Sequence, residues 1–185
     1  MRDLQAAGGA PLNRTRVLLV LGGLAFLVYV CDLVSKTIVL RTLEGRAVPL
    51  EVIPGVLQFR VIFNSGAAFS IGTGATIIFT FIAAGVVIAI IRTASKLRSL
   101  PWAVTLGLLL GGALGNLTDR LLRFPSGFGR SVQFQGHVVD FIEVFPATHF
   151  PVFNIADSAI VCGGILAVFL AWRGYQIDGT RELKK

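Results

Sequence analysis

The stretch "VFNIADSAIVCGGILAVFLAW" (Val152–Trp172) begins polar and ends almost wholly apolar. From Ile155 it runs 18 residues with a single charge, Asp157, which as helix is about 27 Å and close to a bilayer's hydrocarbon thickness. A carboxylate at the mouth of a spanning helix is costly unless something compensates it. Either Asp157 steadies the helix start, where the dipole favours an anion, or the position is functional.

Similar apolar blocks recur along the 185-residue chain. Hydrophobic residues make up 54% and charged ones 15%, and mean hydropathy is +0.77, which excludes a disordered or fibrous chain. Spans are expected at about 16–36, 74–92, 101–121 and 155–173. The run "VLLVLGGLAFLVYV" after Arg14 and Arg16 is followed by "CDLVSK" rather than a small-residue cleavage site, so it reads as a retained first span. Residues 1–15 and 174–185 are then tails around one membrane domain, 16–173. The fold class expected is membrane all-α: a four-transmembrane-helix bundle with a small β-ribbon or cradle on the extracytoplasmic face.

The net charge of +7 invites a nucleic-acid reading, but no basic stripe or aromatic platform supports one. The basic residues instead flank apolar blocks. They are dense before the first span, between the second and third (Arg92, Lys96, Arg98) and after the fourth, and sparse over the two longer loops. That alternation puts both termini in the cytoplasm. Cys31 and Cys162 lie inside apolar runs and read as buried small hydrophobes.

In the first long loop "VLQFRVIFN" alternates Leu57, Phe59, Val61 and Phe63 with Gln58, Arg60, Ile62 and Asn64, mostly a strand period. "AVPLEVI" can pair with it across Pro54-Gly55. Gly107, Gly111 and Gly115 recur every four residues, a small-residue stripe for close helix packing.

With this topology the polar residues of the spans gather in one leaflet. Asp32 and Lys36 end the first span, Asn116, Asp119 and Arg120 the third, and Asn154 and Asp157 open the fourth. Asp32 and Lys36 are i,i+4, and Asn116, Asp119 and Arg120 share one helix face. Asp–Lys and Asp–Arg pairs tying helix ends are one reading of these four ions, and a site is the other. Asp157 has no local base, nor has Asp140 in "GHVVDFIEVF", which alone reads as a loop carboxylate. Two such carboxylates brought together would share a proton, the arrangement of an aspartic peptidase. Spacing by itself supports this weakly. A metal cluster of His137, Asp140, Glu143 and His149 has helical spacing only in its first three members. A proton-coupled transporter would put polarity at mid-membrane and often shows a repeat; an assembly protein would leave Asp140 and Asp157 without a purpose.

Five ordered segments resemble the lipoprotein signal peptidases (signal peptidase II): "DLVSK" (32–36), "FNSGAAFS" (63–70), "GGALGNLTDR" (111–120), "HVVDFI" (137–142) and "FNIADS" (153–158). The resemblance spans about residues 17–173. It implies a membrane aspartic endopeptidase that cleaves diacylglyceryl-modified prolipoproteins before the lipidated cysteine. It also implies Asp140 and Asp157 as the catalytic pair, with Asn64, Gly66, Asn116, Arg120 and Asn154 supporting the site or substrate. Asp32, Lys36 and Asp119 match structural polar positions of the family. Neither metal nor organic cofactor is implied. Implied partners are lipid-modified prolipoproteins, membrane lipids and, as inhibitors, cyclic peptide antibiotics, with no nucleic acid, for a monomer in the bacterial cytoplasmic membrane. The tail 1–15 and the segment between Arg120 and His137 are longer than in many members.

Overall fold

The computed structural model describes residues 13–65, 74–123, 136–148 and 150–182. Four helices, α1 (Arg14–Leu43), α2 (Gly74–Ala94), α3 (Leu100–Leu122) and α4 (Ile155–Trp172), are each long and apolar enough to cross a membrane. At the end of the bundle where α1 and α3 finish and α4 starts lies an antiparallel sheet, β1 (Leu50–Ile53), β2 (Leu57–Asn64) and β3 (Val138–Val144), in the order β1-β2-β3. Residues 1–12 of the expected tail 1–15, Gly66, His149 and most of the long 122–136 loop lie outside the described residues.

The burial pattern is that of a membrane protein. Phe26, Phe81 and Val168 point outward, while Lys36 and Asp119 are 0% and 1% exposed. Apolar side chains all round a helix suit lipid, and polar ones then have only the interior. Cys31 and Cys162 correct the reading of buried thiols, since both are free and face outward.

Local signals start and stop the elements. Asn13 caps α1 by accepting from the Thr15 amide at 3.0 Å, and Pro101 sits in the first turn of α3. Pro54-Gly55 turns β1 into β2, with Gly55 at φ +70°, a conformation that favours glycine. α1 runs seven residues past its expected end at 36. At about 1.5 Å per residue it is roughly 45 Å long, so its last turns stand beyond the hydrocarbon and pack Val39 and Leu43 against Val139 and Phe141 of β3.

α3 is the central helix and touches the other three. Its glycine stripe makes the approach possible. A Cβ at Gly107 would lie 3.0 Å from the Leu21 carbonyl oxygen, and one at Gly111 would lie 2.6 Å from that of Ala25. Gly112 and Gly163 serve the α3–α4 contact in the same way. Gly111→Val is therefore expected to force α1 away from α3 and cost about 1–3 kcal/mol, seen as a lower melting temperature. Gly23→Ala, whose Cβ meets nothing within 4 Å, should be neutral or slightly stabilising. Equal melting temperatures for the two variants would contradict this packing.

The third strand is a correction. The chain around Asp140 is not a loop, and the helical spacing of His137, Asp140 and Glu143 does not apply on a strand. Their residue types allowed any backbone; pairing with β2 decides it. Phe59 lies opposite Ile142 and Ile62 opposite Asp140, so two β2 residues face one on β3. This bulge shifts the period-two alternation read along 57–64 and turns Asn64 toward Asp140.

Candidate active site

β3 and α4 reach the site by different routes and are tied to each other just before it. Phe153 bridges to Ile142 in both directions, with N–O distances of 2.8 and 3.0 Å, and its carbonyl also accepts from the Phe141 amide at 3.0 Å. The next residue, Asn154, starts α4. Asp140 on β3 and Asp157 in the first turn of α4 are thus both brought to Asn154.

Asn154 is fully buried and serves both carboxylates. Its Oδ1 accepts from the Asp157 amide at 2.8 Å, and the Asp157 carboxylate accepts from the Asn154 amide at 3.2 Å. This is a capping box with Asp as its reciprocal acceptor. Asn154, not Asp157, is the N-cap. The other end of the same amide, Nδ2, donates to Asp140 Oδ1 at 2.7 Å. Two further asparagines complete the set: Asn64 Nδ2 donates to Asp140 Oδ2 at 2.8 Å, and Asn116 Nδ2 donates to Asp157 Oδ1 at 2.7 Å. Both carboxylates are held by neutral amides, which bind without discharging them.

Asp140 is 2% exposed. Burial pushes its carboxyl up to about 6; the Asn64 and Asn154 amides pull against this, and the Asp157 charge adds to it. Arg120 interacts electrostatically with Asp140, Asp157 and Asp119 and stacks on Phe79, its guanidinium carbon 5.5 Å from the ring centre. Among the described residues its buried Nη1 has no hydrogen-bond partner.

Behind the pair lies an ionic layer. Lys36 Nζ is 2.7 Å from Asp32 Oδ2 and 2.8 Å from Asp119 Oδ2, and it donates to Asn116 Oδ1 at 3.0 Å. Asp32 Oδ1 accepts from the Ala156 amide on α4 at 2.9 Å, and Asp119 Oδ2 accepts from the Val139 amide on β3 at 3.2 Å. Asp119 also pairs with Arg123 at 2.7 Å. The pairing of Asp119 with Arg120 expected from their helix face does not form; Arg120 turns to the carboxylates instead. Arg123, not singled out in the sequence, is the residue that sequence reasoning missed. Its i,i+4 spacing from Asp119 was the available signal. Glu143, a member of the metal cluster set aside on spacing, is instead held by Arg60 at 2.7 Å and Gln58 at 2.6 Å.

Residues 24–173 match the family model described as signal peptidase (SPase) II. The chain belongs to the signal peptidase II family. A lipoprotein signal peptidase of Streptomyces coelicolor is 55% identical over 161 residues, covering 87% of this chain and 74% of that protein. One from Streptomyces griseus is 53% identical over 175 residues, covering 95% and 84%. A solved bacterial membrane enzyme superposes with a TM-score of 0.69 at 33% identity, over 85% of this chain and 92% of that one. This member of the signal peptidase II family is accordingly a membrane aspartic peptidase, and the transporter and assembly readings fall away. Of the residues named from sequence, Asn64, Asn116, Arg120, Asp140, Asn154 and Asp157 converge on one site, and Asp32, Lys36 and Asp119 form the layer behind it.

Proposed function

We propose that the chain removes signal peptides from diacylglyceryl-modified prolipoproteins, cutting just before the lipidated cysteine, with Asp140 and Asp157 as the catalytic pair. The observation that carries this reading is the double attachment of Asn154, which ties the two carboxylates together at one end of the membrane bundle. Burial raises the Asp140 carboxyl to about 6, which supports Asp140 as the acid of the pair and leaves the role of base to Asp157. Asp157 takes a proton from water as the water oxygen attacks the scissile carbonyl carbon, and Asp140 gives its proton to the carbonyl oxygen. The gem-diol then collapses: Asp157 gives its proton to the amide nitrogen, the C–N bond breaks, and Asp140 takes a hydroxyl proton back as the carboxylic acid product forms. Arg120 Nη1 is the donor available to steady a substrate carbonyl.

The substrate's signal helix and lipid chains hold its scissile bond near the membrane surface, the level at which the sheet meets the bundle. A cleft of about 460 Å³ lined by Gln58, Arg60, Ile62, Glu143, Phe150 and Val152 adjoins Asp140 through Ile62, its β2 partner, and fits the peptide that follows the cysteine. In this reading the protein is a monomer of the bacterial cytoplasmic membrane with both termini inside, the sheet lies on the extracytoplasmic side, and cyclic peptide antibiotics compete for the site.

The test is cleavage by the purified protein in lipid nanodiscs, with product masses read for lipidated and unlipidated prolipoprotein. Cleavage before the cysteine of the lipidated form alone is expected; equal cleavage of both would overturn the lipid requirement. The pH profile tests the proton assignment. Asp140 is raised from 3.8 to about 6, so the native protein binds the extra proton between those values. Any stability gained from the neutral form is complete below 3.8 and lost as pH rises through about 6. If neutral Asp140 is the acid, kcat/KM falls on the alkaline side with a limb at about pH 6, moved higher as lipid and substrate exclude water. A profile flat from about pH 5 to about pH 9 would remove Asp140 from that role.

A further inference from the structure

The ionic layer contains a device the two-aspartate mechanism does not use. Lys36 is fully buried, and its ammonium has only N–H groups to offer. Asn116 must therefore turn Oδ1 toward it, at 3.0 Å. An amide has an oxygen on one side and an NH₂ on the other, so this choice aims Nδ2 at Asp157 Oδ1, 2.7 Å away. With the amide reversed, Asn116 would present an oxygen to a carboxylate oxygen. Asp157 and, at 3.3 Å, Asn154 Nδ2 favour the same orientation, but only Lys36 holds the oxygen end of the amide with a charge. The stronger, charge-assisted contact is the one from Lys36.

We infer that Lys36 is a positioning residue of the peptidase: through the Asn116 amide it holds the Asp157 carboxylate in the orientation from which that carboxylate accepts the proton of water. The inference rests on the Asp140–Asp157 reading. It differs from a purely structural role, in which Lys36 only neutralises Asp32 and Asp119 and so joins α1 to α3.

The test separates the two roles. In the double variant Asp32→Asn/Lys36→Met the ammonium and one buried carboxylate leave together. The new amide at position 32 keeps an oxygen for the Ala156 amide, and Asp119 keeps Arg123. The folded variant is expected to lose about tenfold or more in kcat while KM changes by less than about threefold. Added to an Asn116→Ala background, the same pair of substitutions should lower kcat by less than about threefold, because the route through Asn116 is already cut. Unchanged kcat in the folded variant, or the full loss repeated in the Asn116→Ala background, would overturn the inference. Should the double variant not fold, Asn116→Asp decides: it keeps an acceptor for Lys36 but has no N–H for Asp157, so unchanged kcat there also overturns it. Asp140→Asn and Asp157→Asn run in parallel. Turnover in those variants would defeat the dyad itself, whereas their inactivity beside a fully active Lys36 variant would defeat only the role of Lys36.

Discussion

Asp157→Asn and Asp140→Asn should each lower kcat by about 10³-fold, with the protein still folded. An amide at position 157 is no base for water, and one at position 140 has no acidic proton for the carbonyl oxygen. Steps of this kind contribute about 10²–10⁴-fold, and because the two groups act as one unit the double variant should be little worse than either single one. The structural cost is small by comparison. Each new amide can keep one acceptor oxygen for its asparagine neighbours and must turn an NH₂ toward another donor, a loss of about 1–2 kcal/mol. Single-turnover cleavage of lipidated prolipoprotein, with a melting curve for each variant, makes the measurement. Near-native turnover by either variant would refute the catalytic pair.

Asn154→Ser should nearly silence the enzyme while sparing the helix. Serine is as good an N-cap as asparagine, so the Asp157 amide keeps an acceptor and α4 still starts where it does. The shorter side chain cannot reach Asp140, which loses the 2.7 Å donor from Nδ2, and the Val139 carbonyl loses a weaker one at 3.3 Å. Since Asn154 is fully buried, water does not readily replace it. The expected loss is about 10²-fold in kcat, with about 1–3 kcal/mol of stability from the groups left unsatisfied. Asn154→Ala removes the cap as well, so it should melt lower by about a further 1 kcal/mol without a matching further drop in kcat. If the two variants lose activity in proportion to stability, Asn154 is a cap and nothing more.

The legible parts of this molecule are those governed by one segment at a time. Each span declares itself by length and apolarity, since lipid requires nearly every outward side chain to be greasy. Pro54-Gly55 marks a turn because few other dipeptides take that geometry. The Asp32–Lys36 pair follows from helical pitch, and the glycine stripe on α3 from the same periodicity. Even Asp157 was marked as unusual by its place at a span's mouth without a local base.

Asp140 was different. Its neighbours Val138, Val139, Phe141 and Ile142 suit a loop, a helix or a strand, and only the partnership with β2 makes β3. The bulge between Phe59 and Ile62, which brings Asn64 onto Asp140, cannot be read from an alternation it interrupts. Arg120 and Arg123 both lie about one turn or less from Asp119 along the chain. That Arg123 takes the ion pair while Arg120 lies over Phe79 within electrostatic reach of Asp140 and Asp157 depends on where β3 and α2 pass.

By itself the amino-acid sequence determined that this chain crosses a membrane four times and, through its ordered motifs, which family it belongs to, because both rest on local composition and spacing. The tertiary structure alone decided how the site is wired: Phe153 pairing with Ile142, Asn154 shared between two aspartates, Asn116 set between Lys36 and Asp157. Apart from Asn154 with Asp157, three positions on, these are contacts between residues 11 to 80 positions apart. Hydrogen bonds are short and directional, so which donor meets which acceptor is settled only when the packed helices and the sheet fix the distances.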